Sequence, residues 1–307
     1  MSSLVFRNLG DNGPKVSPIC LGTWPIGGGM GILDEDESIK TVHASIDYGV
    51  NFIDTAESYF SSEKTLGKAL LGKRDKVFLA SKLSGDHSPS HIKIALENSL
   101  RNLKCDYLDL YQIHSWKEEW IIEDTLNELI KYKDNGLIKY IGVSNFTASQ
   151  ISRSSKVTKI QSCQPHYSML FRASKSDPID YCSENRIGVI IYSPLARGLL
   201  TGKYQPGHKF NNDDHRKNHK AFTNQYIEKG WKISKILDQW AKDYGKTSSE
   251  LAIAWVLSTP GVTSAICGAK SPLQAISNAK AGTWKLSKSQ LDEIETLISN
   301  LTVDYEV

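Results

Sequence analysis

The sequence is poor in cysteine and methionine, with five and three in 307 residues. Cys20, Cys105, Cys163, Cys182 and Cys267 are odd in number, widely spread, and never spaced C-x-x-C. That excludes a disulfide framework and a cysteine zinc site, and predicts reduced buried thiols in a cytoplasmic protein. Long apolar runs are missing too: none reaches the ~18 residues that cross a bilayer. The stretch Met1–Gly10 lacks the apolar centre of a secretory leader. There is no excess of one charge, since 37 Lys plus Arg face 34 Asp plus Glu for a net +3. So weak and dispersed a balance argues against nucleic acid or a membrane as partner. Repeats, low-complexity linkers and a domain boundary are absent. So is a G-x-G-x-x-G turn: Gly27-Gly28-Gly29-Met30-Gly31 lacks that spacing and runs into acidic residues, so it reads as a flexible loop at the mouth of a site. No His-x-His is found, and His215 and His219 sit in a polar stretch without a glutamate base, so no metal is expected.

What is present looks ordinary at first. The hydrophobic fraction is 40% and the charged fraction 23%, as in globular chains. The length allows one large domain or two small ones. Apolar runs at Ile19–Leu21, Phe52–Ile53, Val77–Ala80, Tyr107–Ile113, Tyr140–Val143, Ile160–Cys163, Val189–Tyr192 and Thr263–Cys267 alternate with amphipathic segments. Several are continuously apolar, as parallel strands covered on both faces are. Acidic residues from Asp34 open one helix and Gly49 closes it. Another follows Ser61, a third is capped by Ser90, and a fourth stops at Asn135-Gly136. This alternation predicts a (β/α)8 barrel formed as one domain over residues 1–307, with an open doubly wound sheet as the alternative. A long polar segment, Gln205–Gln225, follows the seventh strand. Helical patterns at Tyr226–Tyr244, Ser248–Leu257 and Ser287–Asn300 add to the barrel.

The chemistry is carried by what ends each apolar run. The second leads into Asp54, with Tyr59 five residues on; the third ends at Lys82, the fourth at His114, the fifth at Ser144-Asn145 and the sixth at Gln164. In a barrel these strand ends converge on one face. A lysine there is costly to bury unless a carboxylate pairs with it, and Asp54 is the available partner. The ammonium is expected to draw the Tyr59 phenol below its usual ~10. His114 would bond a carbonyl or Tyr59. The set suits protonation of an oxygen that becomes an alkoxide as hydride arrives. None of these side chains can deliver hydride, so a reduced cofactor is implied.

Asp54-Thr55-Ala56-Glu57-Ser58-Tyr59, Ala80-Ser81-Lys82 and Tyr111-Gln112-Ile113-His114 resemble the tetrad-bearing motifs of the aldo-keto reductase family. Gly142–Phe146, Tyr192–Tyr204 and Gly268–Pro272 continue the likeness over nearly the whole chain. It is strongest to bacterial general-stress-type reductases and weaker to potassium-channel β subunits. The resemblance implies NADPH-dependent reduction of a small carbonyl compound by a monomer, with Tyr59 as acid supported by Lys82, Asp54 and His114. It also implies that Ser144, Asn145 and Gln164 hold the carboxamide and that Tyr192 stacks on the nicotinamide. Ser193, Pro194, Leu195, Arg197, Gly198 and Lys203 would line the pyrophosphate. Gly22, Thr23, Trp24, Asp54 and Gly268 would border the cofactor. Lys270 and Ser271, at a helix start, would take the 2′-phosphate, with Gln274 and Asn278 near the adenosine. Gln274 and Ser277 stand where relatives often carry arginine or glutamate. Trp24 and Trp116 would wall a substrate pocket with Tyr59 and His114. Two rival readings are a metal-dependent barrel hydrolase and a cofactor-binding regulatory subunit with little turnover.

Overall fold

The structure is a computed structural model that describes residues 4–212 and 214–304. Three residues of the N-terminal stretch read above, and Asp213 of the long polar segment, lie outside it. A short antiparallel hairpin, β1 (Arg7–Asn8) and β2 (Lys15–Val16), comes first. Eight strands then close into a parallel barrel: β3 (Ile19–Gly22), β4 (Phe52–Asp54), β5 (Phe78–Leu83), β6 (Leu108–Ile113), β7 (Ile138–Ser144), β8 (Ser162–Gln164), β9 (Gly188–Tyr192) and β10 (Val262–Gly268). Pairing of β10 with β3 closes it, so the open sheet is excluded and the (β/α)8 barrel stands.

The helices are α1 (Glu35–Asp47), α2 (Ser62–Ala69), α3 (Pro89–Leu103), α4 (Ile122–Asp134), α5 (Ala148–Ser155), α6 (Ile179–Glu184), α7 (Asn224–Lys242), α8 (Ser248–Ser258), α9 (Pro272–Ala281) and α10 (Lys288–Ile298). Asp34 caps α1 by accepting from the Glu37 N–H at 3.0 Å. The cap of α3 is Ser88, not Ser90: Ser88 accepts from the His91 N–H, and Pro89, with its fixed φ and missing N–H, fits the first helical position. Ser61 precedes α2 without a side-chain cap bond.

Two cores result from the strands' period of two. Ile19, Leu21, Ile53, Leu79, Tyr111, Ile113, Ile141 and Val143 pack outward beneath the helices. Cys20, Phe52, Phe78, Ala80, Leu110, Ile190 and Ile266 fill the barrel, and Leu9 and Val16 of the hairpin join them. Asp54 is two residues beyond Phe52, Lys82 two beyond Ala80, Gln112 two beyond Leu110, and Tyr192 two beyond Ile190. The same period therefore turns the last residues of these strands inward, above the apolar filling.

The long polar segment has structure of its own. Short 3-10 turns cover His215–Asn218 and Lys220–Phe222. Tyr204, His208, Phe210 and Phe222 pack ring on ring at centroid distances of 4.8–5.0 Å. The Arg216 guanidinium lies over Tyr204 and Phe210, binds the Asp214 carboxylate, and donates to Tyr204 Oη at 2.6 Å. The glycine run 27–31 is likewise tied down rather than loose. Met30 bridges Asp214 in antiparallel fashion, and its carbonyl accepts from Lys270 Nζ. A Cβ on Gly29 would fall 2.0 Å from the Trp24 ring, so only glycine fits there.

Candidate active site

Four side chains named from the sequence meet at the C-terminal end of the barrel. Lys82 is fully buried and donates to Asp54 Oδ1 at 2.5 Å, to the Thr55 carbonyl at 2.9 Å and to Tyr59 Oη at 3.2 Å. The ammonium therefore holds three acceptors, and the tyrosine hydroxyl is one of them. The His114 ring stands 5.7 Å from that of Tyr59, edge to face. It makes no hydrogen bond to Tyr59; its Nδ1 meets Ser84 Oγ at 2.7 Å instead. Asp54 does not cap a helix. Its Oδ2 accepts from Gln112 Nε2 at 3.1 Å and Gln164 Nε2 at 2.9 Å.

The electrostatics follow from this burial. Burial works to lower the Lys82 pKa, but Asp54 and Tyr59 outweigh it and hold the ammonium above its ordinary value. For Tyr59 the expectation is reversed. Lys82 does pull the phenol toward ionisation, but loss of water around it is the larger effect, and its pKa lies above the usual value. Tyr59 thus carries its proton at neutral pH, as an acid must. Burial and the Lys82 charge push His114 down to about 3, so its imidazole is neutral.

A second group extends from this centre along β7, β8 and β9. Ser144 Oγ donates to the Gln164 carbonyl at 2.8 Å, and Asn145 Nδ2 to the His114 carbonyl at 2.9 Å. Tyr192 Oη donates to Asn145 Oδ1 at 2.9 Å. After Tyr192 the chain is strained: Ser193, Ala196 and Arg197 have φ of 55°, 48° and 56°, followed by Gly198 at 103°. Such left-handed residues cost about 1–3 kcal/mol each and cluster where backbone must face a ligand. Arg197 Nε is buried without a partner among the described residues. An unpaired buried guanidinium nitrogen beside strained backbone suits a phosphate-bearing ligand. Lys203 is exposed at the outer end of this segment.

Across the mouth, Ser271 caps α9 by accepting from Gln274 N–H, Gln274 Oε1 accepts from the Lys270 N–H at 2.8 Å, and Asn278 donates to the Gly268 carbonyl at 3.1 Å. Gly22 and Gly268 both lie where a Cβ would strike a neighbour, Ile266 and Pro25 respectively. Thr23 Oγ1 donates to the Asp54 carbonyl at 2.8 Å. A cleft of about 360 Å³ is lined by Trp24, Met30, Arg197, His215, Arg216, Asn218 and His219. Trp24 stands 4.9 Å from Tyr59, with His215 and Phe60 beside it. His215, which is exposed, and His219, which is half-buried, both line this mouth. The Trp116 ring packs on Phe146 at 5.3 Å and beneath Arg153. Of the two tryptophans, Trp24 is the one that packs on Tyr59.

Sequence reasoning overlooked Gln112, Ser84 and His166. Each lies two residues from one it found: Gln112 before His114, Ser84 after Lys82, His166 after Gln164. The strand period was the available clue. His166 is buried against Tyr192 at 5.1 Å, and burial pushes it down to about 3.

The family profile described as "Aldo/keto reductase family" matches residues 18–299. The chain is 36% identical to the aldo-keto reductase YhdN of Bacillus subtilis (strain 168), over 97% of this chain and 95% of that one. Its structure is similar to the glycerol dehydrogenase AKR11B4 of Gluconobacter oxydans, with a TM-score of 0.87, 31% identity, and coverage of 100% and 98%. It is also similar to the holo form of the aldo-keto reductase AKR11C1 of Bacillus halodurans, with a TM-score of 0.80, 26% identity, and coverage of 99% and 98%. The agreement of sequence profile, relative and fold over essentially the full length places the chain in the aldo/keto reductase family, oxidoreductases that act on carbonyl groups with nicotinamide cofactors.

Proposed function

We propose that the protein reduces aldehydes and ketones to alcohols with NADPH, and that Tyr59 supplies the proton. The observation that carries this reading is the Tyr59 hydroxyl 3.2 Å from a buried ammonium that is itself paired with Asp54 at 2.5 Å. When bound, the reduced nicotinamide supplies the hydride. The carbonyl oxygen sits between Tyr59 Oη and the neutral His114 ring. As negative charge grows on that oxygen, the Tyr59 proton moves to it. The phenolate left behind is stabilised by Lys82, whose charge Asp54 balances. Trp24 excludes water from one side of Tyr59.

Ser144, Asn145 and Gln164 hold the carboxamide in this reading, and Tyr192 offers its ring to the nicotinamide. The segment Ser193–Gly198 with Lys203 takes the pyrophosphate. Lys270 and Ser271 take the 2′-phosphate, where a lysine at a helix start favours NADPH over NADH. We further read the chain as one cytoplasmic, monomeric domain acting on small molecules.

Purified protein with NADPH and a panel of aromatic and aliphatic aldehydes, ketones and glyceraldehyde should consume the cofactor. The triose enters the panel because a glycerol dehydrogenase is among the similar structures. Tyr59→Phe should abolish turnover and leave NADPH binding intact. Turnover that survives this change would refute the acid assignment. NADPH binding without turnover across the panel would favour a regulatory subunit.

A further inference from the structure

The two glutamines on Asp54 determine how the site can meet its cofactor. Asp54 forms an ion pair with the Lys82 ammonium at 2.5 Å, and a carboxylate so paired only accepts hydrogen bonds. The side-chain atom of Gln164 that lies 2.9 Å from Asp54 Oδ2 must therefore be the amide nitrogen. The same logic fixes Gln112, whose nitrogen lies 3.1 Å from that oxygen. With its nitrogen so placed, Gln112 turns its own Oε1 to Gln164 Nε2 at 3.2 Å. An amide nitrogen has two hydrogens. Both of those on Gln164 are used, one by Asp54 and one by Gln112. Among the described residues Gln164 donates through its nitrogen, and no donor is found for its Oε1. All three side chains are buried.

We propose that Gln112 is a positioning residue that, with Asp54, locks the Gln164 amide so that it presents only its oxygen to the ligand. The inference rests on the reading of Gln164 as a carboxamide-binding residue and adds to it a direction. An oxygen at this point accepts from the NH2 of a nicotinamide. It repels the carboxylate of a nicotinic-acid dinucleotide, which offers no donor and carries charge of the same sign. The ion pair that supports Tyr59 and the selection of the cofactor's amide are thereby one hydrogen-bonded unit: Tyr59, Lys82, Asp54, Gln112 and Gln164. Replacing Gln112 by leucine removes its own bond to Asp54, keeps the one from Gln164 and frees one N–H of Gln164. That hydrogen can then serve a ligand oxygen, and the discrimination weakens. A merely structural glutamine would change both affinities alike, so the ratio is the informative quantity.

The test measures binding of NADP+ and of its nicotinic-acid analogue to the cofactor-free protein, by quenching of tryptophan fluorescence. Wild type should bind the analogue at least roughly tenfold more weakly, the scale of one lost hydrogen bond with a charge opposed to it. Gln112→Leu should reduce that ratio severalfold, and Gln164→Leu should erase it. Equal binding of the two dinucleotides by wild type overturns the inference and leaves the cofactor reading intact. So does a ratio that Gln112→Leu leaves unchanged. Binding of neither dinucleotide by wild type overturns both. The wild-type comparison needs no variant to fold.

Discussion

Acidification should destabilise this protein through two histidines that fold without charge. His114 and His166 are both pushed down to about 3, mainly by burial, with Lys82 acting on the first and Arg197 on the second. In the unfolded chain each returns to a pKa near ~6.5. A group whose pKa is lowered on folding contributes its full stability above the unfolded value and loses it as pH falls toward the folded one. The unfolded state binds the extra proton between about pH 6.5 and 3, so stability falls across that window. From pH 7 to pH 5 each histidine should cost about 2 kcal/mol, at 1.36 kcal/mol per pH unit below 6.5. Together they remove about 4 kcal/mol, a large part of the 5–15 kcal/mol typical of a folded domain. His219, pushed down to about 4 but half-exposed, adds in the same direction. Urea midpoints at pH 7, 6 and 5 measure the loss. His166→Phe is the informative variant, because a phenyl ring can occupy the same place against Tyr192 and Phe171, 5.1 and 5.3 Å away. It should reduce the loss between pH 7 and 5 by about 2 kcal/mol. Wild type and variant losing stability in parallel would refute the reasoning, since carboxylates common to both cannot tell them apart.

Three further outcomes follow from the site. Asp54→Asn leaves the Lys82 ammonium buried without its counter-charge and should destabilise by up to about 3–5 kcal/mol in urea unfolding; a change below about 1 kcal/mol would contradict the buried pairing. Because burial holds the Tyr59 pKa above its ordinary value, alcohol oxidation should accelerate with rising pH to beyond ~10, while carbonyl reduction stays flat through neutrality, as pH profiles of kcat in both directions would show. Arg216→Ala removes the fork on Asp214 and the cation over Tyr204 and Phe210, so limited proteolysis should cut within residues 205–225 several-fold faster and NADPH binding should weaken. Unchanged cleavage would show that the aromatic rings suffice to hold the segment.

Arg197, in the strained backbone after Tyr192, lines one cleft together with His215, Arg216, Asn218 and His219 of the packed long segment. Strain of this kind persists only where the surroundings enforce it. Arg216 connects the two, reaching Asp214 in the segment and the Arg197 carbonyl at 3.3 Å.

The sequence by itself determined the eight strands and the identity of the residues at the strand ends, whereas the pairing of β10 with β3 decided that they close into a barrel. The features read from the sequence rest on short-range regularities: apolar runs of strand length, helix caps, and strand ends that bring Asp54, Lys82 and His114 to one face. It also pointed to a buried Lys82–Asp54 pair, because a lysine ending an apolar strand has few other places to put its charge. What it could not determine were the quantities set by three-dimensional surroundings. The direction of the Tyr59 pKa depended on whether burial or the Lys82 charge was larger, and burial was. The partner of His114 proved to be Ser84, and Trp116 turned to Phe146. The polar composition of residues 205–225 gave no hint of a fold around Arg216. Desolvation and side-chain pairing depend on atoms brought together from distant parts of the chain, so only the tertiary structure could decide them.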